Sequence, residues 1–234
     1  MNLLLLRPSE LSGGSFHITD SRAEHIIKVL KPSIGDRLRA GALNGFVGSA
    51  EITDIDSEGV KGLFNAETEP PKSPDLSLIV ALPRPKVFRR ILSGVVSMGI
   101  KDIHIINCWR VEKSYWSSPY ISEENIEKYC FDALMQSKDT VMPDVSFHRF
   151  FTGFMEDGLA GIPGERDRFI AHPYSDGTYK PAAPAVVAVG PEGGFIEREL
   201  ETFADAGFKG FSMGERTLTT EHFVPYVLGS ILGR

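Results

Sequence analysis

The chain has 234 residues, 42% hydrophobic and 24% charged, with 25 Lys plus Arg against 31 Asp plus Glu for a formal net charge of -6. This composition excludes wholesale disorder, and a chain of this length buries a core without a disulfide or metal staple. The early apolar run covers only residues 3–6, too short for a signal-peptide core or a membrane span, so a soluble cytoplasmic protein is expected.

Residues 1 to about 65 read as short strands with one helix. Ser21 and Glu24 have capping-box spacing; Ala23, Ile26, Ile27 and Leu30 follow the helical period, and Pro32 lies just beyond. Gly35-Asp36 opens a strand through Leu38 and Ala40, Asn44-Gly45 signals a hairpin, and residues 46–52 run back. After a turn at residues 56–59, residues 60–64 form another strand, and the short strands together predict a small β-barrel. Residues 67–75 (ETEPPKSPD) hold three prolines among charges, which sets a boundary between domains at 1–70 and 71–234.

Beyond it the rhythm changes. Residues 76–82 form a continuous apolar strand of the kind buried on both faces. Val87, Phe88, Ile91, Leu92, Val95 and Val96 make a helical stripe, which Gly99 ends. Residues 103–106, 169–171, 185–189 and 208–213 read as strands. Helices fall around residues 126–134, at 196–206 and at the end. Strand and helix alternating this way predict an α/β fold with a mostly parallel sheet covered on both faces. The apolar set Val224, Tyr226, Val227, Leu228, Ile231 and Leu232 predicts a last helix buried nearly all round.

The strand at 185–189 runs straight into Gly190-Pro191-Glu192-Gly193-Gly194-Phe195 and then a helix. Glycines there admit close backbone approach, and a helix N-terminus favours an anionic group; a plain strand-to-helix turn explains the spacing equally well. A second strand leads through Gly214 into a polar loop with Arg216, then Thr219, Thr220 and Glu221, all suited to starting the last helix. Arg216 has no capping role, and a loop arginine beside a glycine turn suits a phosphate or carboxylate. The balance of charge is acidic, so nucleic-acid binding needs a local patch. Arg84, Lys86, Arg89, Arg90, Lys101 and Arg110 supply one against the single acid Asp102. Trp109 and Trp116, with Tyr115 and Tyr120, form an aromatic-rich stretch that reads as a half-buried loop, a dimer contact or a surface for stacking bases. Cys108 and Cys130 lack Cys-x-x-Cys pairing and the six histidines lack ligand spacing, so reduced thiols and no metal are expected.

The two loops together carry a resemblance. GPEGGF followed by Gly214-x-Arg216-x-Leu218-x-x-Glu221 resembles the SPOUT class of S-adenosylmethionine-dependent RNA methyltransferases, and within it the 16S rRNA uracil-N3 methyltransferase family. His25-Ile-Ile-Lys-Val-Leu30 with Gly35-Asp36, Met98-Gly99-Ile100 and His172-Pro173 are similar to other parts of that family. The resemblance implies a PUA-like RNA-binding barrel at residues 1–70, and a SPOUT domain with a C-terminal trefoil knot at 71–234. It further implies a homodimer and 16S rRNA of the small ribosomal subunit as partner. For cofactor contacts it implies His172, Val189, Gly190, Gly194, Ser212, Met213, Gly214, Thr217 and Leu218. Catalytic roles fall to Arg216 on the uracil carbonyls and Glu221 (or His222) as base, and RNA phosphates to Arg84, Lys86, Arg89 and Arg90. The chain departs from the family pattern at Thr219, His222, Phe223 and residues 83–90. Those departures motivate a second reading, an RNA-binding or ribosome-assembly protein that kept the fold and lost turnover. A third is a different α/β enzyme using a nucleotide at the Gly190 loop.

Overall fold

Turn chemistry and two-residue alternation shape the first of two units, Met1–Lys72 with Phe131–Met142; the second is Ser73–Cys130 with Pro143–Arg234. The computed structural model describes residues 1–162, 165–173, 175 and 180–233. The first unit contains β1 (Leu4–Leu6), β2 (Leu11–Ser12), β3 (Ser15–Ile18), α1 (Ser21–His25), β4 (Arg37–Ala42), β5 (Val47–Ile55) and β6 (Val60–Thr68). They form a six-stranded mixed sheet in the order β1-β4-β5-β6-β3-β2, parallel only at β1–β4. Alternation along β3 turns Phe16 and Ile18 inward, where they meet Leu4, Leu6, Ala23, Ile26, Ala40, Ala50, Ile52 and Val60. Asn44 adopts φ 58° in the tight connection between β4 and β5, the left-handed conformation that asparagine tolerates.

Two local expectations need correction. The helix cap is Asp20 rather than Ser21: Asp20 Oδ1 accepts the Arg22 N–H at 2.9 Å, and both its carboxylate oxygens accept from Arg22 Nε. Arg22 is itself buried, with its guanidinium also bonded to Glu10 and the Leu5 carbonyl. After His25 the helix widens into a π-turn over Ile26–Leu30, closed by the Lys31 N–H donating to the Ile26 carbonyl at 2.8 Å. The wider turn breaks the 3.6-residue register, so Ile26 is buried while Ile27 and Leu30 are exposed.

Phe131–Met142 packs with this first unit, an excursion absent from the sequence reading. The Phe131 ring lies under the Arg7 guanidinium at 4.4 Å, and the Thr140 hydroxyl donates to the Gly45 carbonyl at 2.5 Å.

The second unit begins with β7 (Leu76–Ala81), α2 (Pro85–Ser97), β8 (Asp102–Ile106) and the start of α3 (Glu123–Ser137). It continues with β9 (Asp144–His148), α4 (Phe151–Glu156), β10 (Asp167–Ala171), β11 (Ala185–Val189), α5 (Glu197–Asp205), β12 (Lys209–Phe211) and α6 (Thr220–Ile231). All its strands pair in parallel, in the order β12-β10-β11-β7-β8-β9, with Val187, Leu78, Ile103 and Val145 in register across four of them. Every residue of β7 is buried, as a strand covered on both faces requires. α2 buries Phe88, Ile91, Leu92, Val95 and Val96 and packs with α6, whose Val224, Val227 and Leu228 are buried. The all-round burial expected of α6 does not hold in this chain: Tyr226 is 51% exposed, because the packed face spans one stripe at i, i+3 and i+4 spacing. No helix among the described residues is long and apolar enough to cross a membrane.

A polar network lies between β7, β8 and β9. The Ser77 hydroxyl donates to Asp102, Arg166 donates to Ser77 and pairs with Asp75 at 2.6 Å, and His104 Nε2 lies 3.0 Å from Asp102 Oδ1. The His104 ring and the Ser77 hydroxyl hold the Asp102 carboxyl below the usual carboxylate range, against the opposing effect of burial. On its other side His104 Nδ1 lies 3.2 Å from His148 Nε2, with Phe154 against both rings. Burial, then the neighbouring His104, push the His148 pKa below its ordinary value. In the folded protein His148 therefore resists a proton that the unfolded chain accepts. Stability is fully present above about pH 6.5 and falls as pH drops through the window down to the depressed folded value. Melting midpoints should decline from pH 7.5 to 5.5, and His148→Asn should reduce that slope. A parallel decline in both proteins would show that His148 does not set it. The Asp102 contribution is lost only below about pH 4 and is separable.

Candidate cofactor site at the carboxyl edge of the parallel sheet

β12, β10 and β11 are neighbours and run parallel, so the loops that follow them leave the sheet at one edge. All the cofactor contacts expected from sequence lie there: His172 after β10, Val189, Gly190 and Gly194 at the end of β11, and Ser212, Met213, Gly214, Thr217 and Leu218 after β12. The His172 N–H donates to the Phe211 carbonyl at 2.9 Å and joins two of these loops. Burial pushes the His172 pKa below its ordinary value. Parts of the segment after His172 lie outside the described residues.

The loop after β11 is a tight turn, with the Gly194 N–H donating to the Pro191 carbonyl at 2.8 Å. A Cβ at Gly190 would sit 3.1 Å from the Phe195 ring, which packs in turn on Phe203 at 5.1 Å. Gly194 (φ +72°) and Gly214 (φ +112°) both need the left-handed half of backbone space. Among the described residues, a Cβ at Gly194 would meet only Arg110 Nη1, at 3.9 Å, and one at Gly214 would meet nothing within 4 Å. Their backbone faces are therefore accessible to a ligand.

Side chains from other strand ends fix this turn. Glu192 Oε1 accepts the Arg84 N–H at 3.3 Å, beyond the end of β7. The Arg110 guanidinium, beyond β8, donates to the Gly193 carbonyl. Buried Glu199 accepts the Trp109 N–H at 2.7 Å through Oε1 and the Ile196 N–H at 2.9 Å through Oε2. Sequence reasoning did not single out Glu199, although its place three residues after Ile196 is the position from which a glutamate caps a helix start.

Arg216 is exposed in the loop between β12 and α6. Glu221 stands in the first turn of α6, and its two carboxylate oxygens accept from Arg90 Nη1 at 2.9 and 3.1 Å. Arg90 thus belongs to an ion pair with the expected base. Thr219 occupies the N-cap position, yet its hydroxyl lies 2.7 Å from His222 Nδ1 and caps no backbone N–H, so the expected side-chain cap is absent. Arg84, Lys86 and Arg89 are exposed at the start of α2, with Arg89 over the Tyr129 ring at 5.7 Å. Trp116 is buried, and its indole N–H donates to Asn107 Oδ1 at 2.9 Å, which makes it a packing residue. Cys108 and Cys130 are free and buried; burial raises both thiol pKa values, that of Cys130 to about 12, so neither is poised as a nucleophile. Among the described residues no group of three or more His, Cys, Asp or Glu is arranged to hold a metal ion.

An all-parallel sheet with glycine-bearing loops at the carboxyl ends of adjacent strands defines an α/β protein, the class in which small ligands generally bind at that edge. The family model described as RNA methyltransferase domain matches residues 70–231, and the chain belongs to that family. It is 30% identical over 230 residues to the ribosomal RNA small subunit methyltransferase E of Treponema pallidum, covering 94% of this chain and 86% of the relative. It is 29% identical to the ribosomal RNA small subunit methyltransferase E 1 of Borreliella burgdorferi, covering 94% and 93%. A similar fold occurs in the Neisseria gonorrhoeae ribosomal RNA small subunit methyltransferase E bound to S-adenosyl methionine. There the TM-score is 0.77 and identity 20%, over 100% of this chain and 97% of that one.

Proposed function

We propose that this chain is an S-adenosylmethionine-dependent methyltransferase acting on N3 of a uridine in the 16S rRNA of the small ribosomal subunit. The observation that carries the reading is the convergence of the loops after β10, β11 and β12 at one sheet edge, with open backbone at Gly194 and Gly214. The names of the relatives support the ribosomal substrate, and the S-adenosyl methionine bound by the Neisseria protein supports the cofactor. The same resemblance extends the reading to a PUA-like RNA-binding first unit, a trefoil knot at the C-terminus, a homodimer and a cytoplasmic location.

When bound, the cofactor supplies an electrophilic methyl group that carries its own thioether leaving group. The loops from His172, Gly190 to Gly194 and Ser212 to Leu218 hold and orient it. Arg216 places a planar cation where negative charge grows on the uracil carbonyls as N3 loses its proton. Glu221 or His222 takes that proton, and Arg84, Lys86, Arg89 and Arg90 hold RNA phosphates. Arg90 already pairs with Glu221, so RNA phosphate and the carboxylate compete for one guanidinium. The same pair favours a second reading, in which the fold binds RNA without turnover.

Calorimetry with S-adenosylmethionine and mass spectrometry of 16S rRNA from a deletion strain test the proposal. Micromolar cofactor binding and loss of one methylated uridine are expected. Cofactor binding with unchanged rRNA supports the second reading, and absence of binding removes both. Within the site, Gly194→Val should weaken cofactor binding at least tenfold in a folded protein, because a β-branched residue at φ +72° must rearrange the turn. Unchanged affinity would remove this loop from the cofactor site.

A further inference from the structure

Among its described residues the second unit exposes four large apolar side chains: Trp109, Phe150, Leu218 and Tyr226. Trp109 is the most exposed of them, at 80%, and it stands on a backbone that is not free to move. Its N–H is bound by the buried Glu199 carboxylate, and Cys108 before it is buried. Arg110 after it is tied to the Gly193 carbonyl, close enough that a Cβ on Gly193 would lie 3.0 Å from Arg110 Cδ. A large flat ring is thus held out to solvent on a rigid support, directly beside the turn that contains Gly193 and Gly194. Hydration of an exposed indole is unfavourable, and nothing inside the described unit compensates for it. Trp116, seven residues on, supplies the internal contrast: it is buried and its N–H is satisfied.

The surroundings indicate what the ring meets. Arg110, Glu112 and Lys113 beside it are exposed and charged, and Arg84 is tied to the same loop through Glu192. A dry interface with a second protein would have to strip water from those charges. A nucleobase needs only the flat face of the indole, while its phosphates remain hydrated near Arg84, Arg110 and Lys113. We propose that Trp109 is a stacking platform for a base of single-stranded or flipped-out RNA, holding the target uracil or its immediate neighbour beside the Gly190 to Gly194 turn. This rests on the RNA methyltransferase reading above.

Trp109 and Trp116 are the only tryptophans in the chain, so fluorescence reports the ring directly. Titration of the full-length protein with a uridine-rich single-stranded RNA decamer should quench the emission of exposed Trp109. Trp109→Leu should leave the buried Trp116 signal unquenched and weaken RNA binding roughly five- to hundredfold, with Trp109→Tyr recovering most of the loss. S-adenosylmethionine affinity, measured by calorimetry on the same variants, should stay within about twofold and thereby exclude misfolding of the loop. Unchanged RNA affinity in folded Trp109→Leu would overturn the platform while leaving the methyltransferase reading intact. A change in oligomeric state by sedimentation without a change in RNA affinity would reassign the ring to a protein contact and overturn it too. A wild-type protein that binds no RNA decamer and methylates no rRNA removes the underlying reading, and the platform with it.

Discussion

Arg216→Ala is expected to lower the single-turnover rate of rRNA methylation by roughly 10²–10³, while cofactor affinity stays within about threefold. The structure gives Arg216 an exposed position between Gly214 and the start of α6, beside loop residues expected to hold the cofactor. In the proposed reaction a guanidinium there would act on charge that appears only as uracil N3 loses its proton and attacks the methyl group, so its removal would raise the barrier without loosening the ground state. Arg216→Lys should recover little, because a compact ammonium cannot present two parallel donors. Single-turnover assays on 30S subunits, with cofactor titration alongside, read both quantities. Lost cofactor binding with normal chemistry at saturation would move Arg216 from the reaction to the cofactor.

The second large effect concerns Glu199, whose two oxygens each accept a backbone N–H, from Trp109 and from Ile196. Alanine removes a buried charged acceptor and leaves both donors without it, which is expected to cost about 3 kcal/mol. For a chain of this size that lowers the melting midpoint by roughly 6–12 °C. Cofactor affinity should fall with it, since the Trp109–Arg110 segment and the start of α5 are no longer joined across the glycine turn. Glu199→Gln offers one acceptor oxygen in place of two and should fall between the wild type and alanine. A melting point for Glu199→Ala within about 2 °C of wild type would show that water replaces the carboxylate at no cost.

The second unit was largely legible in the sequence because burial on both faces writes itself as unbroken apolar runs, as in residues 76–81, and α2 carries a clean helical stripe. The loop at Gly190 was legible because an apolar strand runs directly into glycine and then into a helix, and that at Gly214 because a strand leads through glycine into a polar loop before the last helix. The first unit was less so. A π-turn leaves Ile27 and Leu30 at helical spacing while moving them outward, and Asp20 takes over the cap because Arg22 offers it both a backbone N–H and a guanidinium. Contacts between distant segments leave no local pattern: Arg90 with Glu221 and Trp109 with Glu199 join residues 131 and 90 positions apart. Glu199 reads as one acid among several on a surface helix until its partners are known.

The return of Phe131–Met142 to the first unit has a practical consequence for taking the protein apart. Cleavage in the proline-rich stretch would release residues 1–72 without the ring beneath Arg7 and without the hydroxyl bonded to the Gly45 carbonyl. The complementary fragment would carry residues 131–142 as a strip with no sheet to cover. The chain passes between the units after residues 72, 130 and 142, so a clean separation needs three breaks rather than one. An isolated version of the first unit therefore has to be engineered, with residues 131–142 rejoined to residue 72 through a new linker.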